Sequence, residues 1–279
     1  MRPFELVAPR SLAEAVRCLD RANTASRPIG GGTALMLMMK SGFFRPERLV
    51  SLRAVESRFR TITTGDDGAL HIGAMTTLSE IEHSPLVARH APVLTRALRT
   101  LANVRIRNVA TLGGHLAHAD PHLDLPPVLM ALQARLAILG PSGEKIMPVE
   151  ALFRGYFETT LSPDELIGAV IVPDQRGGRA IYIKCTARSA DDWPALGVAV
   201  AIGPLGARIV VGAATEKPMR LAAAEEVVNR SRDETAFRQA ADAAANEAPL
   251  ISDQHGSAAY KRELLRVSVR RALQQVPSA

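Results

Sequence analysis

The sequence predicts an α+β protein in two parts, and three observations carry that prediction. Short apolar runs of strand length alternate with helix-patterned segments through the first 170 or so residues. A polar stretch with paired glycines, "DQRGGR" at 174–179, then interrupts the pattern. Beyond it, three strand-like runs come together and are followed by helices instead of alternating with them. The expected division is 1–176, in subdomains of about 1–53 and 54–176, and then 177–279.

Taken in order, Ser11 can cap "LAEAVRCLDRA", where Leu12, Ala15, Val16 and Leu19 recur at helical spacing. "RPIGGG" reads as a short strand running into glycines. Thr33 is placed to cap "ALMLMMK", with Gly42 where a helix-ending glycine belongs. "ERLVSL" closes this α/β unit. "TITTGDDGALHIGAMTT" offers two short strands about Asp-Asp-Gly, a hairpin signal. Ser79 and Glu82 have capping-box spacing, although Pro85 follows early. "PVLTRALRTLA" presents an apolar face of Val93, Leu94, Ala97, Leu98 and Leu101. "LPPVLMALQARLAILG" gives a short helix and a strand, and "SPDELIGAVIVP" a turn and a buried strand. The second part has strands in "AIYIKCTARS", "ALGVAVAIG" and "ARIVVGAAT", then helices at 221–230 and about 256–275.

Composition narrows the function. With 47% hydrophobic and 22% charged residues, the 279-residue chain has a globular make-up. No apolar run reaches the roughly 18 residues of a membrane-spanning helix, and "MRPFELVAPRSLAEAV" has no apolar signal core, so a cytoplasmic location is expected. Cys18 and Cys185 lie far apart and outside any C-x-x-C, which suits a reducing compartment. Two cysteines are also too few to hold an iron–sulfur cluster. The net charge of +6 raises a nucleic-acid partner. Aromatics at 4% and scattered arginines argue against one, with one local concentration in "NVRIRN" at 103–108, directly before the second glycine corner.

Two glycine corners carry the chemistry, "IGGGTALMLMMKSG" at 29–42 and "NVATLGGHLAHADPHLDLPP" at 108–127. A glycine turn can aim several backbone N–H groups at one anion, and a helix start adds its dipole. Two such cradles facing one diphosphate would explain the pair, and two ordinary turns would explain it too. Neither corner matches G-x-G-x-x-G or the P-loop. His115, His118 and His122 with Asp120 and Asp124 also raise a metal site. Pro121 and the lack of a clear helix argue against that geometry, and no metal is expected. No G-x-S-x-G occurs to support a hydrolase.

Together these stretches resemble the FAD-binding middle subunit of the molybdenum hydroxylases, the family of the aerobic carbon monoxide dehydrogenase medium chain and the xanthine dehydrogenase flavin domain. The resemblance covers nearly the whole chain. Its anchors are "GGGTALMLMMK", "IRNVATLGGHLAHADPHLDLPPVLMAL", "YIKCTARSADDWPALGVAVAI", "GAATEKPMRLAAAEEVV" and "DQHGSAAYKRELLRVSVRRAL", in the family's order. It implies a p-cresol methylhydroxylase/vanillyl-alcohol oxidase-type fold. Two small α/β subdomains hold FAD there, and a C-terminal α+β domain with a three-stranded sheet covers it.

By the same resemblance, Gly30, Gly31, Gly32, Thr33, Ala34 and Leu35 form one diphosphate loop, and Thr111, Gly113, Gly114 and His115 the other. Asp124, in the stretch that begins at Asp120, reaches a ribityl or ribose hydroxyl. Lys184 lies near the flavin's pyrimidine end, and Trp193 near the ring or in the core. No catalytic residue is implied. The implied function is electron transfer from the [2Fe–2S] clusters of a small iron–sulfur subunit to an external acceptor. A large molybdopterin subunit does the hydroxylation, and the whole is a dimer of heterotrimers. Ala34 replaces the family's usual serine or aspartate, and His115 its asparagine or aspartate. Those departures leave an FAD-free scaffold subunit as the alternative.

Overall fold

A parallel strand pair needs a crossover between its members, and the first fifty residues contain two. In the computed structural model, which describes residues 2–276 apart from 23 and 205, β1 (Glu5–Val7) leads through α1 (Leu12–Arg17) to β2 (Ser26–Ile29). That strand leads through α2 (Thr33–Lys40) to β3 (Arg48–Ser51). Both outer strands run parallel to β3, in the order β1-β3-β2. Ser11 caps α1 as its sequence suggests, accepting from the Glu14 N–H. Leu12, Ala15, Val16 and Leu19 pack on Val50, Leu52 and Phe59. Gly42, at φ +76°, ends α2 in the left-handed region that glycine adopts without strain.

The second sheet is antiparallel. Among the described residues its order is β4-β5-β10-β6-β7, from β4 (Ile62–Thr64), β5 (Leu70–Gly73), β6 (Arg135–Gly140), β7 (Gly143–Pro148) and β10 (Leu166–Val172). Between β7 and β10 lies a hairpin of β8 (Phe153–Gly155) and β9 (Glu158–Thr159). One face of the sheet is covered by a run of short helices, α3 (Leu78–Glu82), α4 (Pro85–His90), α5 (Pro92–Arg99), α6 (Val104–Arg107), α7 (Leu112–His118) and α8 (Leu125–Ala131). The capping box that starts α3 is Thr77–Glu80, two residues ahead of the Ser79–Glu82 pairing expected from spacing. The earlier frame puts Leu78 and Ile81 inside, at 0% and 1% exposure. Pro85 does not break that helix. It opens α4, where a proline at the first turn loses no hydrogen bond.

The C-terminal part has the order β11-β12-β13-β14, from β11 (Arg179–Cys185), β12 (Leu196–Gly203), β13 (Gly206–Gly212) and β14 (Met219–Arg220). The three long strands are those read from the sequence, and β14 adds two residues at the edge. One face packs on α9 (Ala222–Arg230), α10 (Glu234–Glu247) and α11 (Ala258–Gln275). On the other face Ala199, Ala201 and Val210 join the core of the second subdomain. There a Cβ on Gly212 would lie 3.0 Å from Pro127 Cγ, so α8 is seated directly on the sheet.

Lys261 of α11 is fully buried at 0% exposure. Its Nζ donates to Asp253 Oδ2 at 2.5 Å and reaches the Ala213 carbonyl at 3.5 Å. Removing one member of such a pair leaves the other charge uncompensated. Lys261→Ala is therefore expected to cost about 3 kcal/mol of folding stability, read from the urea midpoint at unchanged m.

Candidate functional site

The two glycine corners meet. Between β2 and α2, Gly32 takes φ +77° and serves as the N-cap residue, with no side chain accepting from the helix start. Thr33, expected as the cap, is instead the first helical residue. The backbone N–H groups of the first turn, Thr33 to Leu35, are thus left without a side-chain acceptor. A Cβ on Gly31 would lie 2.1 Å from the Val109 carbonyl oxygen and 2.8 Å from Ala110 Cα. One on Gly30 would lie 2.7 Å from Thr111 Oγ1. The first corner is pressed, backbone to backbone, against the entry of the second.

The second corner is the start of α7, a helix that the sequence reading did not expect. Thr111 caps it, its hydroxyl accepting from the Gly114 N–H at 3.3 Å. The two glycines here divide their roles. Gly113 is buried, donates to the Ala74 carbonyl at 2.7 Å, and leaves no space for a Cβ, which would meet Ala74 Cβ at 2.7 Å. Gly114 is exposed, and its added Cβ would meet only Thr111 Oγ1, at 3.0 Å. The packing glycine is 113, and the open one is 114.

Among the described residues, three buried polar side-chain atoms have no hydrogen-bond partner: Arg27 Nε, Thr76 Oγ1 and His115 Nε2. Each belongs to the walls of these corners. Arg27 lies on β2, its guanidinium 5.2 Å from the Phe44 ring centroid. The Thr76 carbonyl accepts from the Leu112 N–H. His115 lies in α7, where burial holds it down to about 3, so the imidazole is neutral near pH 7. Unsatisfied buried atoms are uncommon, and three along one seam mark a place built for a polar ligand. Nothing in the sequence singled out Arg27 or Thr76, since neither belongs to a motif.

The acidic and basic residues expected here have other partners. Asp124 is 4% exposed. It accepts from Tyr182 Oη at 2.8 Å and Lys184 Nζ at 3.1 Å, while Lys184 also donates to the Thr100 carbonyl at 2.7 Å. The two expected ligand contacts therefore spend their charges on each other, joining α8 to β11. Burial raises Asp124 despite Lys184.

Asp120 caps its own turn through the His122 N–H at 2.9 Å, and its Oδ1 lies 3.1 Å from His122 Nδ1. The other ring nitrogen lies 3.2 Å from Asp253 Oδ2. Burial alone would lower His122, but the hydrogen bonds and charges of these two carboxylates raise it overall. Trp193 is not a core residue. It is 45% exposed, with its ring edge-on to His122. Among the described residues, no group of three or more His, Cys, Asp or Glu is placed to hold a metal ion.

Two measurements follow from the corners. Gly31→Ala forces the backbones apart and is expected to cost about 3 kcal/mol, seen as a lower urea midpoint. His115 is a base whose folded pKa lies below its unfolded one. Between about pH 6.5 and about 3 the unfolded chain binds the extra proton, so stability falls as pH drops, by up to about 1.4 kcal/mol per unit. In His115→Asn that part of the slope disappears from a pH series of denaturation curves.

The comparisons with known proteins agree with one another. Residues 2–175 match the family described as FAD binding domain in molybdopterin dehydrogenase, and 181–276 the CO dehydrogenase flavoprotein C-terminal domain. The chain is 34% identical to a nicotine 6-hydroxylase medium subunit of Paenarthrobacter nicotinovorans, over 95% of this chain and 94% of the other. It is 29% identical to a glyceraldehyde dehydrogenase medium chain of Sulfolobus acidocaldarius, over 98% of each. A solved carbon monoxide dehydrogenase of Hydrogenophaga pseudoflava superposes with a TM-score of 0.93 at 32% identity, covering 99% of this chain and 98% of that one. With both corners, both parts of the fold and nearly the full length matched, the chain belongs to the family of FAD-binding medium subunits of molybdenum hydroxylases and is an oxidoreductase subunit.

Proposed function

We propose that this chain is the FAD-binding electron-transfer subunit of a cytoplasmic molybdenum hydroxylase. It takes electrons from [2Fe–2S] clusters in a small partner subunit and passes them to an external acceptor. A large molybdopterin subunit completes each half of a dimer of heterotrimers. The division at 176/177 separates the part that holds the cofactor from the part that covers it. The "medium" in its relatives' names supports a place among several subunits. Among the described residues no helix is long and apolar enough to cross a membrane.

The observation that carries this reading is the seam itself: two glycine corners in contact, with N–H groups lacking a side-chain cap at the start of α2, an exposed glycine at Gly114, and three partnerless polar atoms on the segments that carry or adjoin the corners. These residues fit FAD. Gly30, Gly31 and Gly32 shape the first loop, and Thr33, Ala34 and Leu35 offer backbone donors. Ala34 removes a side-chain contact and leaves those donors intact. Thr111 fixes the second loop, Gly113 seats it and Gly114 lets an anion approach. His115, being neutral, presents a hydrogen-bond donor or acceptor without adding charge, and Asp120 fixes the turn after α7. The Asp124–Lys184 pair locks the covering sheet to α8. It would hold both groups fixed where the resemblance puts their contacts to FAD. Bound FAD supplies a carrier that accepts electrons singly and releases them in pairs.

The decisive experiment is an absorption spectrum of the chain, purified alone and with its co-expressed partners. Flavin bands released as FAD on heating are expected. Gly114→Val should weaken FAD binding about tenfold or more at a smaller cost in urea midpoint than Gly113→Val, because its Cβ meets only the Thr111 hydroxyl, at 3.0 Å. Gly113→Val, by contrast, should lower stability as well. No flavin in either preparation, and none taken up on addition, would leave the FAD-free scaffold as the function.

A further inference from the structure

The stretch between the two parts of the chain, "DQRGGR" at 174–179, has no place in the seam of glycine corners. It reads as a linker in the sequence and is a built wall in the structure. The Gln175 side-chain amide donates to the Leu132 carbonyl at 3.2 Å and to the Pro173 carbonyl at 2.8 Å. Asp174 accepts from the Arg176 backbone N–H at 2.9 Å and pairs with the same residue's guanidinium. Gly68, at φ +78° in the turn between β4 and β5, lies against that pair. A Cβ there would stand 3.1 Å from Asp174 Oδ2 and 3.2 Å from Arg176 Nη2.

Beside this wall lies a cleft of about 620 Å³, within the roughly 300–1,000 Å³ of small-molecule sites. Its lining comes from both parts of the chain: the β4–β5 turn, the junction of α4 with α5, the wall itself and the start of β11. Ala91, Val93 and Leu132, all buried, give it an apolar patch. No residue of either glycine corner lines it.

The charges select the ligand. Four arginines line the cleft: Arg89 at the end of α4, Arg96 on α5, Arg176 in the wall and Arg179 at the start of β11. Arg176 is matched to Asp174, and among the described residues the other three form no ion pair. Arg96 spends one nitrogen on the Ala180 carbonyl, at 3.1 Å, and keeps its remaining N–H donors. His90 Nδ1 lies 2.9 Å from the Leu86 carbonyl, which leaves Nε2 for a ligand. Against the four guanidiniums stand two carboxylates, Asp66 and Asp174. The cleft therefore holds a surplus of two positive charges before His90 is counted. Like charges gathered from several elements repel one another, and an anion seated among them relieves that repulsion.

We infer that this cleft binds a phosphate monoester, a small molecule whose dianionic head matches the surplus and whose uncharged body lies on the apolar patch. Guanidinium suits such a head, because its planar fork donates to two phosphate oxygens at once. A single carboxylate, with one charge, leaves half the surplus unmatched. Free phosphate carries the same head and leaves most of the cleft unfilled. A ligand held by Arg89 and Arg96 on one side and Arg179 on the other spans the junction of the two parts. It binds best the arrangement in which those arginines converge, and so favours it. Binding is non-covalent and does not depend on the FAD reading.

AMP is the probe, titrated by calorimetry into the full chain at fixed ionic strength, with adenosine, inorganic phosphate and succinate run alongside. FAD uptake is read separately by absorption. Saturable binding is expected for AMP, weaker binding for inorganic phosphate, and none for adenosine or succinate. Arg89→Ala and Arg179→Ala, both at exposed positions, should each raise the AMP dissociation constant about tenfold. Both variants should keep the ligand-free urea midpoint and normal FAD uptake, and saturation with FAD should leave AMP affinity unchanged. Absence of saturable binding, or succinate binding as tightly as AMP, would overturn the inference. So would AMP that FAD displaces and neither variant weakens, because AMP would then occupy the glycine seam. AMP binding that both variants weaken, in a chain that takes up no FAD, would support the cleft and end the FAD reading.

Discussion

The contact on which the rest depends is the approach of Gly31 to the Val109 carbonyl. It is a meeting of two main chains, and any side chain would hold them apart. Everything proposed for the seam follows from that proximity. It sets the uncapped first turn of α2 against the first turn of α7, whose own N–H groups are taken by Thr76, Ala74 and Thr111. It also encloses atoms such as His115 Nε2 that water would otherwise satisfy. The parallel three-stranded sheet and the antiparallel five-stranded sheet are independent in hydrogen bonding. What makes them one structure is packing, across glycine at the seam and through the apolar cluster that joins Leu12, Val16 and Val50 to Phe59, Met75 and Leu166.

The C-terminal part is attached by a different kind of bond. Two charged groupings cross the boundary, Asp124 with Lys184 and Tyr182, and Asp120–His122–Asp253–Lys261 with its alternating signs. Both are largely buried, so their worth lies less in net stability than in orientation. A misplaced sheet would leave charges without partners. Apolar contact between α8 and the sheet supplies the adhesion, and the ionic groups supply the register.

How much of this was legible in the sequence depended on which signal each element uses. α1, α5 and the strands of the C-terminal sheet declare themselves through apolar periodicity, and the structure has them. α10 does not. Its buried face is Ala236, Ala240, Ala241, Ala244 and Ala245, and alanine contributes too little hydrophobic contrast to reveal a face. β7 is an exposed edge strand with polar residues and was equally silent. α7 was hidden by its own glycines, whose low helix propensity is overridden because close contact with Ala74 requires one of them. At the site, the corners were visible as glycine runs. The partners of Asp124 and His122 were not, since Lys184 and Asp253 lie 60 and 131 residues away and belong to elements brought together only by the fold.

The unequal surroundings of the second-corner glycines bear on how such subunits change over generations. Gly30, Gly31 and Gly113 are held by neighbouring atoms whether or not anything is bound, because the chain cannot close around a larger residue. Gly114 is exposed, and within the protein a Cβ there would meet only the Thr111 hydroxyl. In a lineage that ceased to carry its ligand, selection would release position 114 and keep the other three. The glycine runs would still look intact to a casual reader, and a single bulky residue at 114 would record the loss.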